Sequence, residues 1–202
     1  CWRSSPVASR AITLLKKHPA YRVAKFELGL YRDLGRWIRG RCLVPDGASP
    51  LPHPPGRLQM LGFVTAVLAI EMVVVHLLLP AGLVRLVALL LSLWAVVWVW
   101  SLIAGERIRP SYEGPDALVL RRGRTVFAEV PALLVAQRRT ERTFASDIEI
   151  EGNTLTVGGS GGTDTLLELS EPIEAAGDRY PWQKAKTAPV TRVRFYAGQR
   201  GL

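Results

Sequence analysis

Residues 66–82 read AVLAIEMVVVHLLLPAG and set Glu71 and His76 in a run otherwise built almost wholly of aliphatic side chains. A carboxyl and an imidazole make a familiar acid–base pair, so their spacing comes first. Five residues turn a helix by about 500°, which leaves the two side chains about 140° apart. A separation of three or four residues would bring them together on one helix face. Glu71 and His76 are therefore two separate groups and not one paired site.

Other reactive chemistry is thinly supplied. The histidines are His18, His53 and His76, the cysteines Cys1 and Cys42, and no CxxC or HxxxH spacing joins them. No zinc or haem site, and no other cofactor, is expected. The run GGSGG at 158–162 lacks the Lys-Ser/Thr ending with which a phosphate-gripping loop continues. There is no GxSxG elbow, and residues 105–202 contain no histidine. Histidine-dependent catalysis is excluded there unless another chain contributes. The expectation is a protein that is not an enzyme.

The elements that position Glu71 and His76 are two long apolar runs. Residues 58–79 contain only Gln59, Thr65, Glu71 and His76 as polar groups, and residues 83–104 only Arg85, Ser92 and Ser101. About 20 such residues cross a hydrocarbon layer of about 30 Å as a helix. Both runs are apolar all round, unlike the half-polar helices of soluble cores. Two transmembrane helices over 58–104 follow, and Pro80-Ala81-Gly82 is short enough to force an antiparallel hairpin. Folding about residue 81 puts Glu71 level with Leu91 and Ser92, and His76 level with Arg85 and Leu86. An ionisable group at mid-membrane costs about 2.5–3.5 kcal/mol on insertion scales. A hydrogen bond from Ser92 would lower that cost for Glu71. An oligomer contact is a second use for the carboxyl, and ion conduction a third. His76 lies near enough to the outer surface to reach water or headgroups.

Charge selects the orientation. Residues 1–57 carry 11 Lys and Arg against three acids, a net +8 within a chain of net charge +9. Basic residues flanking spans are retained in the cytoplasm. The expected location is the inner (plasma) membrane with both termini cytoplasmic. The dense basic charge after Cys1 argues against an exported, lipid-modified N-terminus, and a truncated sequence is the expected reason for the missing methionine.

The N-terminal segment, 1–43, reads as helical, with Pro19 separating a short helix from a longer one. In the longer helix Arg22, Lys25, Arg32, Arg36 and Arg39 share one arc and Val23, Phe26, Leu30, Leu34 and Trp37 the other. That amphipathic pattern suits a helix lying on a membrane surface rich in anionic lipid headgroups. It also suits a helix packed on a partner or on the protein itself. Zinc-finger spacing, a stacking platform and a helix-turn-helix pattern are all missing, so no nucleic acid is expected as partner. Residues 44–57, with five prolines, read as a semi-extended linker.

From 105 to 202 the pattern turns to short β-rich runs at 117–121, 125–130, 133–137, 147–151, 154–157, 165–169 and 190–196, with glycine turns between them. Fourteen Lys and Arg balance 13 Asp and Glu in this region. A small antiparallel barrel or sandwich is expected. The hairpin, the exit ERIRP (106–110), the segment DALVLRRGRTVFAEVP (116–131) and the closing RVRFYAG (192–198) together resemble uncharacterised actinobacterial integral membrane proteins with two transmembrane helices and a pleckstrin-homology-like (PH-like) domain. The resemblance implies architecture and no agreed activity. The whole is expected to be an α+β membrane protein whose cytoplasmic β-domain binds a protein partner or a lipid headgroup, or else an accessory subunit of a transporter or channel.

Overall fold

The computed structural model describes residues 19–54, 56–180, 183 and 186–198. The short helix expected before Pro19 lies outside them. Proline lacks the N–H that a first helical turn leaves unbonded anyway, and Pro19 opens α1 (Pro19–Ile38). Gly40, at φ +67°, closes it. Its N–H donates to Trp37 O at 2.8 Å and the Arg41 N–H to Arg36 O at 3.0 Å, the two bonds of a left-handed helix end.

The apolar runs form α2 (Arg57–Leu78) and α3 (Leu83–Ile108), packed together as a hairpin. Both are long and apolar enough to cross a membrane. Leu79 is extended ahead of Pro80, which ends α2. The second apolar run stops at Ala104, but its helix continues to Ile108, and Pro110 is the first proline after it. α3 therefore carries Glu106 and Arg107 on its last turn. α1 packs along α3, so of the two placements open to the amphipathic helix the structure holds packing on the protein itself.

Two sheets follow. One has the order β1-β2-β3-β4, from β1 (Ser49–Pro50), β2 (Tyr112–Glu113), β3 (Ala117–Arg122) and β4 (Thr125–Pro131). The other has the order β5-β8-β9-β7-β6, from β5 (Val135–Thr143), β6 (Ile148–Glu151), β7 (Thr154–Val157), β8 (Thr163–Ala176) and β9 (Thr187–Phe195). The protein is α+β. Leu118, Leu120, Phe127 and Val130 of the first sheet share a core with Leu155, Leu167, Val190, Val193 and Phe195 of the second. β8 buries Thr163, Thr165, Leu167 and Leu169 at the period of two that a strand imposes, and Leu166 on its other face as well.

Two expectations need correction. The β-domain is not wholly antiparallel, since β9 lies between β7 and β8 and runs parallel to β7. The glycine run 158–162 therefore carries the chain past β9 instead of closing a hairpin. The proline-rich segment 44–57 is also more than a spacer. Its Ser49 and Pro50 pair with Glu113 and Tyr112, and Leu51 is buried in the β-domain core.

Candidate functional site

Phe26, Leu30, Asp33 and Trp37 fall on one face of α1 by their 4-3-4 spacing, so an acid sits in the middle of an otherwise apolar stripe. That face meets α3 where the latter has its smallest side chains. Leu30 is buried, its Cδ2 3.9 Å from where a Cβ on Gly105 would lie. Further along, Trp94 Nε1 donates to Tyr31 Oη at 2.9 Å.

Asp33 is fully buried, and three guanidiniums converge on it. Arg109, just beyond α3, donates from Nε to Oδ2 at 3.2 Å and from Nη2 to Oδ1 at 3.3 Å. Arg124, in the two-residue turn that Gly123 (φ +55°) begins between β3 and β4, donates to Oδ2 at 2.9 Å. Arg36, one turn along α1, donates to Oδ1 at 3.2 Å. Arg124 also reaches Gly29 O at 3.4 Å, across a backbone with no side chain in the way. A Cβ on Gly29 would stand 2.6 Å from the Arg124 Cζ. Burial pushes the Asp33 carboxyl up, but the hydrogen bonds and charges of Arg109 and Arg124 outweigh it and hold the group below its ordinary range. One carboxylate thus ties α1, the end of α3 and the β3–β4 turn together.

A second set of contacts fixes the same junction. Arg121 donates to Pro110 O at 2.7 Å and Leu43 O at 2.8 Å, with its guanidinium 4.8 Å from the centre of the Tyr112 ring. Arg57, at the start of α2, pairs with Glu106, and His53 Nε2 donates to the Glu106 carbonyl at 3.0 Å.

Between these elements lies a groove of about 730 Å³. Arg22 and Lys25 of α1, Arg57, Arg122, Arg124 and Arg179 line it, facing two carboxylates, Glu106 and Asp178. Burial and the neighbouring charge of Arg57 both lower the pKa of Arg122, although a guanidinium keeps its proton at any working pH.

The residues singled out from sequence are distributed unevenly around this junction. Arg22 and Lys25 line the groove, Arg36 is turned to Asp33, and Arg32 and Arg39 are exposed. Ser92 is buried on α3, whereas Glu71 is exposed on α2 and has no side-chain hydrogen bond among the described residues. The expected Glu71–Ser92 bond is not formed. Leu61, Leu68, Met72 and Val75 make the half-buried stripe of α2, and Glu71, one residue before Met72, is rotated about 100° away from it. At the far turn, Arg85 Nη2 lies 2.8 Å from His76 Nε2. Asp33, Arg109 and Arg124 were not singled out from sequence as a site. The available signal was an acid at the 4-3-4 spacing of Phe26, Leu30 and Trp37 on α1. No protein-family model, no curated protein and no solved structure matches this chain, so its chemistry is read from this geometry.

Proposed function

We propose that this chain is a non-enzymatic, membrane-anchored module. In this reading α2 and α3 cross the inner membrane with both flanks in the cytoplasm, and they hold a PH-like β-domain against the inner leaflet to bind a lipid headgroup or a protein partner. The observation that carries it is the Asp33 cluster. A loose tether has no use for a buried carboxylate bonded to a helix end and a sheet turn at once, whereas a domain held at a set height and angle over a bilayer does. The basic balance of residues 1–57 supports the orientation. Carbonate extraction and labelling of the exposed Cys42 with a membrane-impermeant maleimide, in a Cys1→Ser background, test it. The chain is expected to stay in the pellet and to label only in broken cells. Release by carbonate, or labelling of intact cells, would sink the reading.

One observation favours a second reading, that of an accessory subunit of a transporter or channel. Glu71 stands unbonded on α2, a helix with no buried residue. A contact to another membrane helix would satisfy its carboxyl. A pH-dependent functional defect in Glu71→Gln separates this reading from the first, which anticipates none.

A further inference from the structure

We propose that the groove between α1, the start of α2, the end of α3 and the β3–β4 turn binds the phosphate of an anionic lipid headgroup. The inference rests on the membrane-anchored reading and names the ligand class of that module.

The wall is built for a phosphate. Six cations from four segments face two carboxylates, and guanidiniums match phosphate oxygens with paired N–H groups. Arg57 pairs with Glu106, Arg122 with Asp178 at 3.5 Å and Arg124 with Asp33. Each keeps donors in reserve, because a guanidinium has five N–H groups. Arg124 commits only Nη1, and Arg57 only Nε. The Lys25 ammonium has no partner among the described residues and is exposed. α2 starts at Arg57, on the rim, with no side chain capping its first N–H groups, and the positive end of a helix favours an anion there.

Position favours a lipid as the source of the phosphate. Phe26, Leu30 and Leu102 supply apolar wall beside the cations. Arg57 opens α2, and Leu102 lies within the apolar part of α3, about two turns before its end at Ile108. A ligand seated here has its charged end against the arginines and its apolar part beside the helices. The volume also lies within the roughly 300–1,000 Å³ usual for small-ligand sites. A neighbouring cavity of about 80 Å³ is too small for a headgroup, and a third, of about 700 Å³ beside Cys42 and His53, has Arg107 as its one guanidinium.

The test uses the full chain in nanodiscs of phosphatidylcholine, with and without phosphatidylglycerol, read by hydrogen exchange at residues 122–125 and 178–179. Anionic lipid is expected to protect both segments. Lys25→Gln with Arg179→Gln should weaken the lipid dependence about 30-fold, taking about 1 kcal/mol for each lost cation near an anionic surface. Neither residue belongs to the Asp33 cluster, so α1 should keep its own protection in that variant. Inorganic phosphate added to the phosphatidylcholine discs is the other arm. Protection by it at millimolar concentration would overturn a lipid as the source, and no protection by either would overturn the site. Co-elution of the chain with discs of either composition reads the anchor separately. Failure to co-elute would overturn the anchored reading and this inference with it, whereas co-elution without lipid selectivity overturns the inference alone.

Discussion

Replacing Asp33 by Ala removes the shared acceptor of three guanidiniums. The carboxylate is fully buried, while Arg109, Arg36 and Arg124 retain 22%, 25% and 30% of their side-chain exposure. Breaking a fully buried pair costs about 3–5 kcal/mol, because the remaining charge is left uncompensated. Here the stranded arginines still reach water, so the cost falls to about 2–3 kcal/mol. At 1.4 kcal/mol per tenfold, that predicts about a 30- to 150-fold loss of hydrogen-exchange protection in α1 and the β3–β4 turn. Arg36→Ala is the control, since an i,i+3 pair on one helix is worth only about 0.2–0.5 kcal/mol. A double-mutant cycle isolates the contact itself: Arg109→Ala should cost much less in the Asp33→Ala background than alone. The pH dependence follows from the direction of the shift. Asp33 in place is held below its ordinary 3.8, so the released state binds more protons than the docked one. The stabilisation is complete above 3.8 and is lost as pH falls through the lower, folded value. Docking should thus be flat from about pH 5 to 8 and weaken only in stronger acid. Wild-type protection in Asp33→Ala, or an additive cycle, would refute the clamp.

Four further outcomes follow from other parts of the molecule. Gly158→Ala puts a Cβ 2.3 Å from Ala145 O and 2.6 Å from Asp147 O, both backbone; a loss of about 2–3 kcal/mol in denaturant unfolding of the β-domain is expected. By contrast, Gly35→Ala enters open space within α1 and should stabilise the helix by about 0.5–1 kcal/mol. Trp94→Phe loses the bond to Tyr31, at a cost of about 1 kcal/mol, and exchange should rise around the middle of α1. Glu71→Leu removes an unbonded carboxyl from α2, and the hairpin's melting temperature in detergent should hold or rise; a fall would show that Glu71 has a structural partner.

The two apolar helices were legible because twenty-odd apolar residues leave few alternatives; the first shifted by one residue, to Arg57–Leu78, and the second runs on from 104 to Ile108. Most strand positions were legible from alternation and glycine turns. The run expected at 133–137, however, begins in a 3-10 turn and its strand is Val135–Thr143, and the run at 165–169 is part of the longer Thr163–Ala176. Pairing was not legible. Nothing in RVRFY (192–196) states that its strand lies parallel to β7 and separates it from β8, since that choice is made by contacts far apart in sequence. β1 escaped notice because two residues carry no period, and because prolines at 50 and 52 read as linker.

Two acids stand in apolar surroundings here, and sequence ranks them in the wrong order. Glu71 is conspicuous because 18 of the 22 residues in its run (58–79) are apolar, yet it makes no side-chain bond among the described residues and faces away from the hairpin partner. Asp33 is inconspicuous because Arg32 and Arg36 flank it and make it read as one charge among many. Its partners come from residue 109 and residue 124, and no local spacing rule connects them to 33. What gives Asp33 away is its phase. It shares the face of Phe26, Leu30 and Trp37, and a carboxyl in that position must either break the packing of α1 or be met by cations from whatever α1 packs against. Arg109 and Arg124 are those cations. The same logic extends to the groove alongside, where the cations outnumber the carboxylates and the excess charge faces the place where a phosphate would sit.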